Sequence, residues 1–248
     1  MYAGAEMFHR NGYANATLVE IATAAGVTKG ALYFHFASKD ELADAVQQRG
    51  CGLLHEAVRV RREAGASPLQ TLIDTTYWLA RMLHEDPAVP ASFRITKECA
   101  GVVGADGAVG AGVDFHGAVI GVVSGLLRMA RDVGELGGRV GGADGVDGVG
   151  VGAGARVGVG VDGVGAGGAG WAGGVGGAGV GVWDAGRWEG AEALVGAAVC
   201  GIEIMSGTGM SYWELQRKVA ALWGLLLPSL VGEGRVAGYR TEGPGRGV

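Results

Sequence analysis

A pair of short helices joined by a tight turn is predicted over residues 17–36, TLVEIATAAGVTKGALYFHF. Thr17 is a helix-capping residue, and Glu20 stands three positions later, as in a reciprocal capping box. Gly26 tolerates the left-handed backbone that ends a helix, and Thr28 can cap the next one. This pattern favours an all-α domain. The first helix carries apolar residues at helical spacing, which we expect to form one buried face: Leu18, Ile21, Ala22 and Ala25.

The second helix, predicted from Lys29 to Phe34, directs most of its side chains outward. Leu32 and Phe36 are four positions apart and are expected to face inward, and Val27 can plug the turn. A helix that enters the major groove of DNA needs small residues where its backbone approaches the bases and polar groups at its edges for phosphates. The pattern therefore fits a helix-turn-helix motif, although a helical hairpin in any all-α protein has the same periodicity. The outward positions supply the required residue types: Lys29, Gly30, Ala31, Tyr33 and His35.

A longer run, GYANATLVEIATAAGVTKGALYFHFASKDELADAV, resembles the DNA-binding domain of TetR-family repressors. Within that family, VTKGALYFHFASKDELA resembles the γ-butyrolactone autoregulator receptors. By the same resemblance, the first helix is shorter at its start than is usual in the family. The resemblance implies that eight residues lie at the DNA: Thr17, Thr28, Lys29, Gly30, Ala31, Tyr33, His35 and Lys39.

The charge balance requires any DNA-binding surface to be segregated onto one face. The whole chain has a formal net charge of −5. Residues 1–65 contain seven Lys or Arg residues and seven Asp or Glu residues, so this part is neutral. A positive surface must then come from the placement of charges and not from their number.

Caps, prolines and apolar stripes predict further helices over residues 38–64, 67–86, 91–99, 115–136, 191–206 and 211–228. The expected fold is all-α, with a helix-turn-helix DNA-binding domain followed by a helical ligand-binding and dimerisation domain. Its predicted divisions are a DNA-binding domain with a truncated first helix (1–48), a first regulatory part (49–136), a low-complexity insertion (137–190), the C-terminal helices (191–231) and a loose tail (232–248).

The predicted insertion has an unusual composition. Of the 51 glycines in the chain, 24 fall within residues 137–190, where Gly alternates with Val and Ala. The backbone entropy of such a segment is large and its side chains are small, so it cannot form a packed core. We expect disorder here, interrupting the helical domain.

A ligand pocket and a dimer interface are implied by the resemblance. The candidate pocket residues are Tyr77, Trp78, Phe115 and Val119, although Tyr77 and Trp78 suit a plain core as well. The family carries a pocket tryptophan at the position of Ala118, so this chain departs from the butyrolactone-binding pattern. The two C-terminal helices resemble the family's dimer interface, but their apolar residues are equally consistent with a core.

The resemblance implies a homodimeric repressor that binds a pseudo-palindromic operator in double-stranded DNA. It further implies release by a small apolar ligand such as a γ-butyrolactone, and control of secondary-metabolite or antibiotic genes. Two alternatives stay open: a Gly-rich structural or interaction protein, and a damaged, non-functional copy of such a repressor.

An enzyme is not expected, because the five histidines show no catalytic-triad or HExxH spacing. We predict no cofactor and no metal site. The three cysteines are far apart, which fits a reducing cytoplasm, and no apolar run is long enough for a membrane span.

Overall fold

The computed structural model describes residues 1–99, 114–137 and 185–243, and within these ranges it contains helices and no strand. The all-α prediction is confirmed. The loop predicted at 101–113 and most of the predicted insertion lie outside the described residues. The helices are α1 (Tyr2–Asn11), α2 (Leu18–Ala24), α3 (Lys29–His35), α4 (Lys39–Glu63), α5 (Pro68–Glu85), α6 (Ala88–Cys99), α7 (Phe115–Asp132), α8 (Ala185–Ser206) and α9 (Tyr212–Val231), followed by a 3₁₀ turn at Glu233–Gly238.

Hydroxyl side chains begin five of these helices, as the sequence predicts. Each accepts a hydrogen bond from a backbone N–H of the first turn, one of the donors that a helix start leaves unpaired. Ser38 and Glu41 also have the spacing of a reciprocal capping box, but only half of it forms, because the Glu41 carboxylate accepts from Ala37 N. The five capping residues are Thr17, Thr28, Ser38, Ser67 and Ser211.

Two predictions about proline are wrong. Helix α6 begins at Ala88 and not after Pro90. An N–H in the first turn of a helix has no helical partner, so a proline there loses no hydrogen bond. Helix α9 continues past Pro228 to Val231. Near the end of a helix a proline removes only one backbone hydrogen bond, and burial of Leu230 holds the last turn in place.

Two helix boundaries also differ from the prediction. Helix α7 ends at Asp132, four residues earlier than expected, and α8 begins at Ala185 instead of residue 191. The last residues of the predicted 137–190 insertion are therefore helical, since the apolar stripe of α8 extends back to Trp188, which packs against the core.

The smaller of two apolar cores lies in the head, which we define as residues 1–48. It joins α1, α2, α3 and the start of α4, and one face of α6 also contributes to it. Its buried members include Phe8, Ile21, Leu32, Leu42 and Ile95.

The larger core lies in the body, residues 49–99, 114–137 and 185–243, and joins α4 through α9. Trp223 of α9 is fully buried within it, and its indole Nε1 donates to Thr76 Oγ1 of α5 at 2.8 Å. Helices before and after residues 138–184 therefore share one core.

Part of the C-terminal tail packs on the body, whereas the sequence predicted a loose tail from residue 232. Residues 233–243 cross α5, where the Arg240 guanidinium lies 2.9 Å from the Asp74 carboxylate. Tyr77 donates its hydroxyl hydrogen to the carbonyl oxygen of Thr241. These contacts are made by single side chains within a polar, Gly-rich sequence, so periodicity gives no sign of them.

Among the residues that the structure describes, no helix has the combination of length and apolar character needed to cross a bilayer.

Candidate nucleic-acid interface

The turn between α2 and α3 is centred on Gly26, which has φ +67°. Val27 N donates to Ala22 O at 3.0 Å, and Gly26 N donates to Thr23 O at 3.1 Å. This pair of bonds ends α2 in a Schellman motif, which needs a left-handed residue directly after the C-cap, here Gly26. Beyond the turn, buried Leu32 anchors α3 to the head core. The geometry of a helix-turn-helix is thus set by local bonds and one apolar anchor.

All five outward positions predicted on α3 are exposed. The Lys29 ammonium lies 5.4 Å from the centroid of the Tyr33 ring, which places a cation and a phenol side by side. A Cβ added at Gly30 would meet nothing within 4 Å, so the surface around it is open. The exposed face of α3 thus combines an open centre with hydrogen-bonding and cationic side chains, as DNA contact requires. The residues of this face are Lys29, Gly30, Ala31, Tyr33 and His35.

The two threonines assigned to the DNA surface use their hydroxyls differently. Thr28 Oγ1 accepts from Ala31 N at 3.1 Å, and its own O–H stays available to donate. Thr17 Oγ1 accepts from Glu20 N and also lies 2.7 Å from the Glu20 carboxylate, toward which its O–H points. Thr28 is therefore better placed than Thr17 to donate to a phosphate.

Lys39, at the start of α4, is partly occupied within the head. Its ammonium donates to the carbonyl oxygens of Tyr13 at 2.9 Å and Ala14 at 3.3 Å, and it lies 4.4 Å from the Tyr13 ring centroid. Burial raises the pKa of Tyr13, as do its hydrogen bond to Asp40 and the Asp40 charge. Lys39 therefore ties α4 to the α1–α2 junction, and a phosphate contact would use its remaining N–H.

One exposed residue of α3 was not predicted, and two residues at the turn before α3 were predicted to be buried but are exposed. Phe34 is 84% exposed and lies edge-on to His35, with ring centroids 5.4 Å apart. Since it follows buried Leu32 by two positions, about 200° around the helix, periodicity alone could have placed it outside. Ala25 and Val27 were expected to be buried, but both are exposed because they lie in the turn itself, beyond the last apolar contact of α2.

The structure does not bring the four predicted pocket residues together. Burial is the largest of the causes that raise the pKa of Tyr77 to about 12, and the charges of Glu242 and Asp74 raise it further. Phe115 is fully buried and packs edge-on against Phe93, with ring centroids 4.9 Å apart. Trp78 is half-buried at the edge of the body core. These three side chains act as packing groups in this state.

Val119, the fourth, lines a cavity between α4, α5, α7 and α8. The cavity measures about 10 Å³, the room of roughly one water-sized sphere. Small-molecule sites usually enclose about 300–1,000 Å³, so a ligand could enter only if these helices separated. Other residues that line the cavity are Leu54, Thr75, Thr76, Val123 and Val199.

Comparison with known proteins shows that the head is similar to a known family. Residues 1–46 match "Bacterial regulatory proteins, tetR family". Over 96 residues the chain is 38% identical to the A-factor receptor protein of Streptomyces griseus, a match that covers 39% of this chain and 33% of that protein. The chain therefore spans about a third of the length of this relative. The predicted resemblance to TetR-type regulators and their γ-butyrolactone receptors is confirmed.

Two solved structures share the overall fold. A γ-butyrolactone receptor described as ArpA-like has a TM-score of 0.61 at 23% identity, and the match covers 96% of this chain and 89% of that chain. CprB from Streptomyces coelicolor, solved with its biological operator sequence, has a TM-score of 0.58 at 22% identity with coverage of 96% and 89%. Both likenesses show that the fold of these structures is shared by the head and the body.

Proposed function

We propose that this chain, whose residues 1–46 match the tetR family of bacterial regulatory proteins, is a homodimeric repressor that binds double-stranded DNA. The observation that carries the proposal is the exposed face of α3. Its small residues let the helix backbone approach base edges, while its cation and hydrogen-bonding rings reach the phosphates. The proposed DNA-contacting residues are Thr17, Thr28, Lys29, Gly30, Ala31, Tyr33, His35 and Lys39.

Homodimerisation is supported by apolar residues that the isolated chain leaves exposed on its last two helices. Leu194 and Ile204 of α8 expose 56% and 61% of their surface, and Leu225 of α9 exposes 78%. A second copy of the chain would cover these faces and hold two heads on one side of the DNA. Two-fold symmetry would place the two recognition helices about 34–36 Å apart, in successive major grooves of a pseudo-palindrome.

The dimer proposal can be tested with a charge placed on this face. Leu225→Glu should convert the dimer into a monomer in sedimentation equilibrium, because the carboxylate would be buried without a partner. Val133→Glu is the matched control, since Val133 is 65% exposed at the end of α7. A dimer of unchanged stability in Leu225→Glu would rule out this interface.

The ligand is proposed to be a small apolar molecule such as a γ-butyrolactone, in line with the names of the relatives. The small cavity is lined mainly by Leu and Val side chains, with Thr75 and Thr76 beside them, which suits such a molecule. Because the cavity is closed in this state, ligand entry must select a conformation in which the helices around it are further apart. Coupling to DNA then requires that this conformation bind DNA less tightly.

DNA binding is the most direct test of the proposal. The full chain would be used to select duplexes from a random library, and the enriched sequence would be assayed by gel shift against a scrambled duplex. A pseudo-palindrome bound at least about 1,000-fold more tightly than the scrambled duplex is expected for a specific repressor. Failure to enrich any sequence at low salt by a folded dimer would reject the function.

Residues 138–184 are not required for DNA binding by a repressor of this kind, because helices on both sides of them share the body core. Deletion of 138–184 with a short Gly-Ser link discriminates the repressor from a Gly-rich structural role. A deleted chain that binds the selected duplex as well as the full chain supports the repressor, and loss of binding in a folded, dimeric deletion variant contradicts it.

A further inference from the structure

Helix α6 belongs to both apolar cores. Ala88, Ala91 and Ile95, at positions i, i+3 and i+7, pack in the head core. Val89 and Phe93, four residues apart, pack in the body core. One helix therefore carries two buried faces, and any rotation of the head against the body would disturb at least one of them.

Arg94 and Glu98 of α6, which we call the latch, also contact the junction between α1 and α2. Arg94 Nη1 donates to His9 O at 2.7 Å and to Arg10 O at 3.0 Å, two carbonyls that the end of α1 leaves without helical partners. Glu98 accepts from Ala14 N at 3.0 Å on the far side of the junction, and the two side chains are joined by a 2.9 Å ion pair. The latch therefore contacts the chain both before and after the turn.

The junction itself is shaped to receive the latch. Gly12 has φ +85°, and a Cβ added there would lie 2.5 Å from Glu98 Oε1 and 2.9 Å from Arg94 Nη2. Burial alone would raise the pKa of Glu98, but hydrogen bonds from Ala14 N and Arg94 outweigh it and lower that pKa. The carboxylate is thus held in its charged form against the head.

The other side of α6 is fixed to the body. Thr96 Oγ1 lies 3.3 Å from Asp114 Oδ1 of the body and also donates to Gln47 Oε1, in the part of α4 that belongs to the head, at 3.0 Å. Phe115 N of α7 donates to the same Gln47 oxygen at 3.3 Å. Gln47 is buried, so this three-way connection between α4, α6 and α7 is enclosed. Lys97 adds an ion pair to Glu203 of α8. The latch therefore stands on a helix that cannot move freely relative to the body.

We infer that Arg94 and Glu98 are positioning residues for DNA recognition: by latching the α1–α2 junction to the body, they fix the angle of each head and so set the half-site spacing that the dimer accepts. This inference rests on the proposed repressor function. Helix α4 alone would leave the head free to tilt. A rod of its 25 residues is about 37 Å long, and a tilt of about 5° moves its end by about 3 Å, nearly the rise of one base pair.

The test uses the full-length dimer and the duplex selected by the wild-type protein. The two half-sites of that duplex are moved apart or together by one and two base pairs, and the dissociation constant is measured for each spacing. The wild-type protein is expected to prefer one spacing over its neighbours by about tenfold or more, because each added base pair also rotates one half-site by about 36°.

In Arg94→Ala we expect this preference to fall to within about threefold, while the affinity for a duplex carrying one half-site stays within about twofold of wild type. Glu98→Gln should lower the preference less, and Arg94→Lys should restore part of it because a lysine can still donate to one of the two carbonyls. A general loss of stability would weaken binding at all spacings alike and would not produce this pattern.

Arg81→Ala is the matched control. Arg81 forms an Arg–Glu pair with Glu85 at the same i,i+4 spacing, but on α5, which lies in the body. Its spacing profile should equal that of the wild type. If Arg94→Ala proves too unstable to assay, Glu98→Gln decides alone.

The outcomes separate the two claims. A wild-type dimer that selects no duplex rejects the proposed function, and the inference falls with it. A wild-type dimer with a single preferred spacing, and folded Arg94→Ala and Glu98→Gln variants that keep the same preference, would overturn the inference and leave the repressor function standing.

Discussion

The head and the body hold their candidate functional side chains in opposite ways. In the head, Lys29, Tyr33 and His35 project into solvent from a helix anchored by one buried leucine. In the body, Tyr77 and Phe115 are packed so closely that they serve the core. Truncation of an exposed side chain can change binding and leave the fold intact, whereas truncation of a buried one changes both. The head can therefore be tested by substitution, while the body must be tested through its stability and its ability to open.

The largest expected effect lies in the body, at the centre of its core. Trp223→Ala should lower the free energy of unfolding by about 3–5 kcal/mol, because it leaves a large cavity and removes the hydrogen bond to Thr76. Trp223→Phe should cost less, since it keeps most of the apolar contact. Urea unfolding followed by circular dichroism measures both changes. A loss below about 1 kcal/mol in Trp223→Ala would contradict the tight packing of the body core around this side chain.

A smaller effect is expected where head and body meet along α4. A Cβ at Gly50 would lie 2.8 Å from Ser92 Oγ and 3.1 Å from the Phe115 ring, so Gly50→Ala should destabilise the protein by about 1–3 kcal/mol. Gly52, two residues later, has nothing within 4 Å of the same position, and Gly52→Ala should stabilise by up to about 1 kcal/mol through helix propensity. Thermal unfolding of the two variants should shift in opposite directions, and equal shifts would be inconsistent with the close packing of α4 on α6 and α7.

On the exposed side, Lys29→Ala should leave stability unchanged and weaken DNA binding. Each phosphate contact contributes about 0.9 to the slope of log K against log salt, so a dimer that loses two should have its slope reduced by about 1.8. Arg128→Ala, at an exposed position on α7, should keep the wild-type slope. An unchanged slope in Lys29→Ala would show that Lys29 makes no phosphate contact.

The smallest expected effect concerns pH at the border of head and body. Partial burial lowers the pKa of His9, as do the charges of Arg94 and Arg10. The folded state then binds fewer protons than the unfolded chain between that lowered pKa and about 6.5, so this residue makes the protein less stable as pH falls through the window. His9→Gln should therefore lose less stability than wild type between pH 7.5 and 5, as measured by urea unfolding, and parallel curves would exclude a role for His9.

The sequence predicted the parts of the molecule that depend on local rules. Side-chain caps and the left-handed glycine at position 26 are decided within a few residues, so the helix starts and the turn of the head could be placed in advance. Exposure on α3 followed from its helical period, which also places Phe34 outside although that residue was not among the predicted positions.

Features that depend on residues distant in sequence could not be predicted. The contact of Arg94 with the end of α1 and the contact of Arg240 with α5 each join segments far apart along the chain. The same holds for the cavity, because its size depends on how four helices pack, and Val119 was the one predicted pocket residue to line it. Pro90 and Pro228 misled for a different reason. Pro90 lies in the first turn of α6, where an N–H has no helical partner, and at Pro228 one lost hydrogen bond is offset by burial of the turn that follows.

The hydrogen bond between Trp223 and Thr76 joins positions 147 residues apart, which bears on how the protein is made. At about 5–20 residues per second, a ribosome needs roughly 7–30 s to synthesise the intervening chain. During that interval α5 has already been translated, but α9, one of the helices that pack against it, has not been completed. Among the described residues, the apolar core of the head includes none after α6, so this core can be completed while the remainder of the nascent chain still needs protection from aggregation.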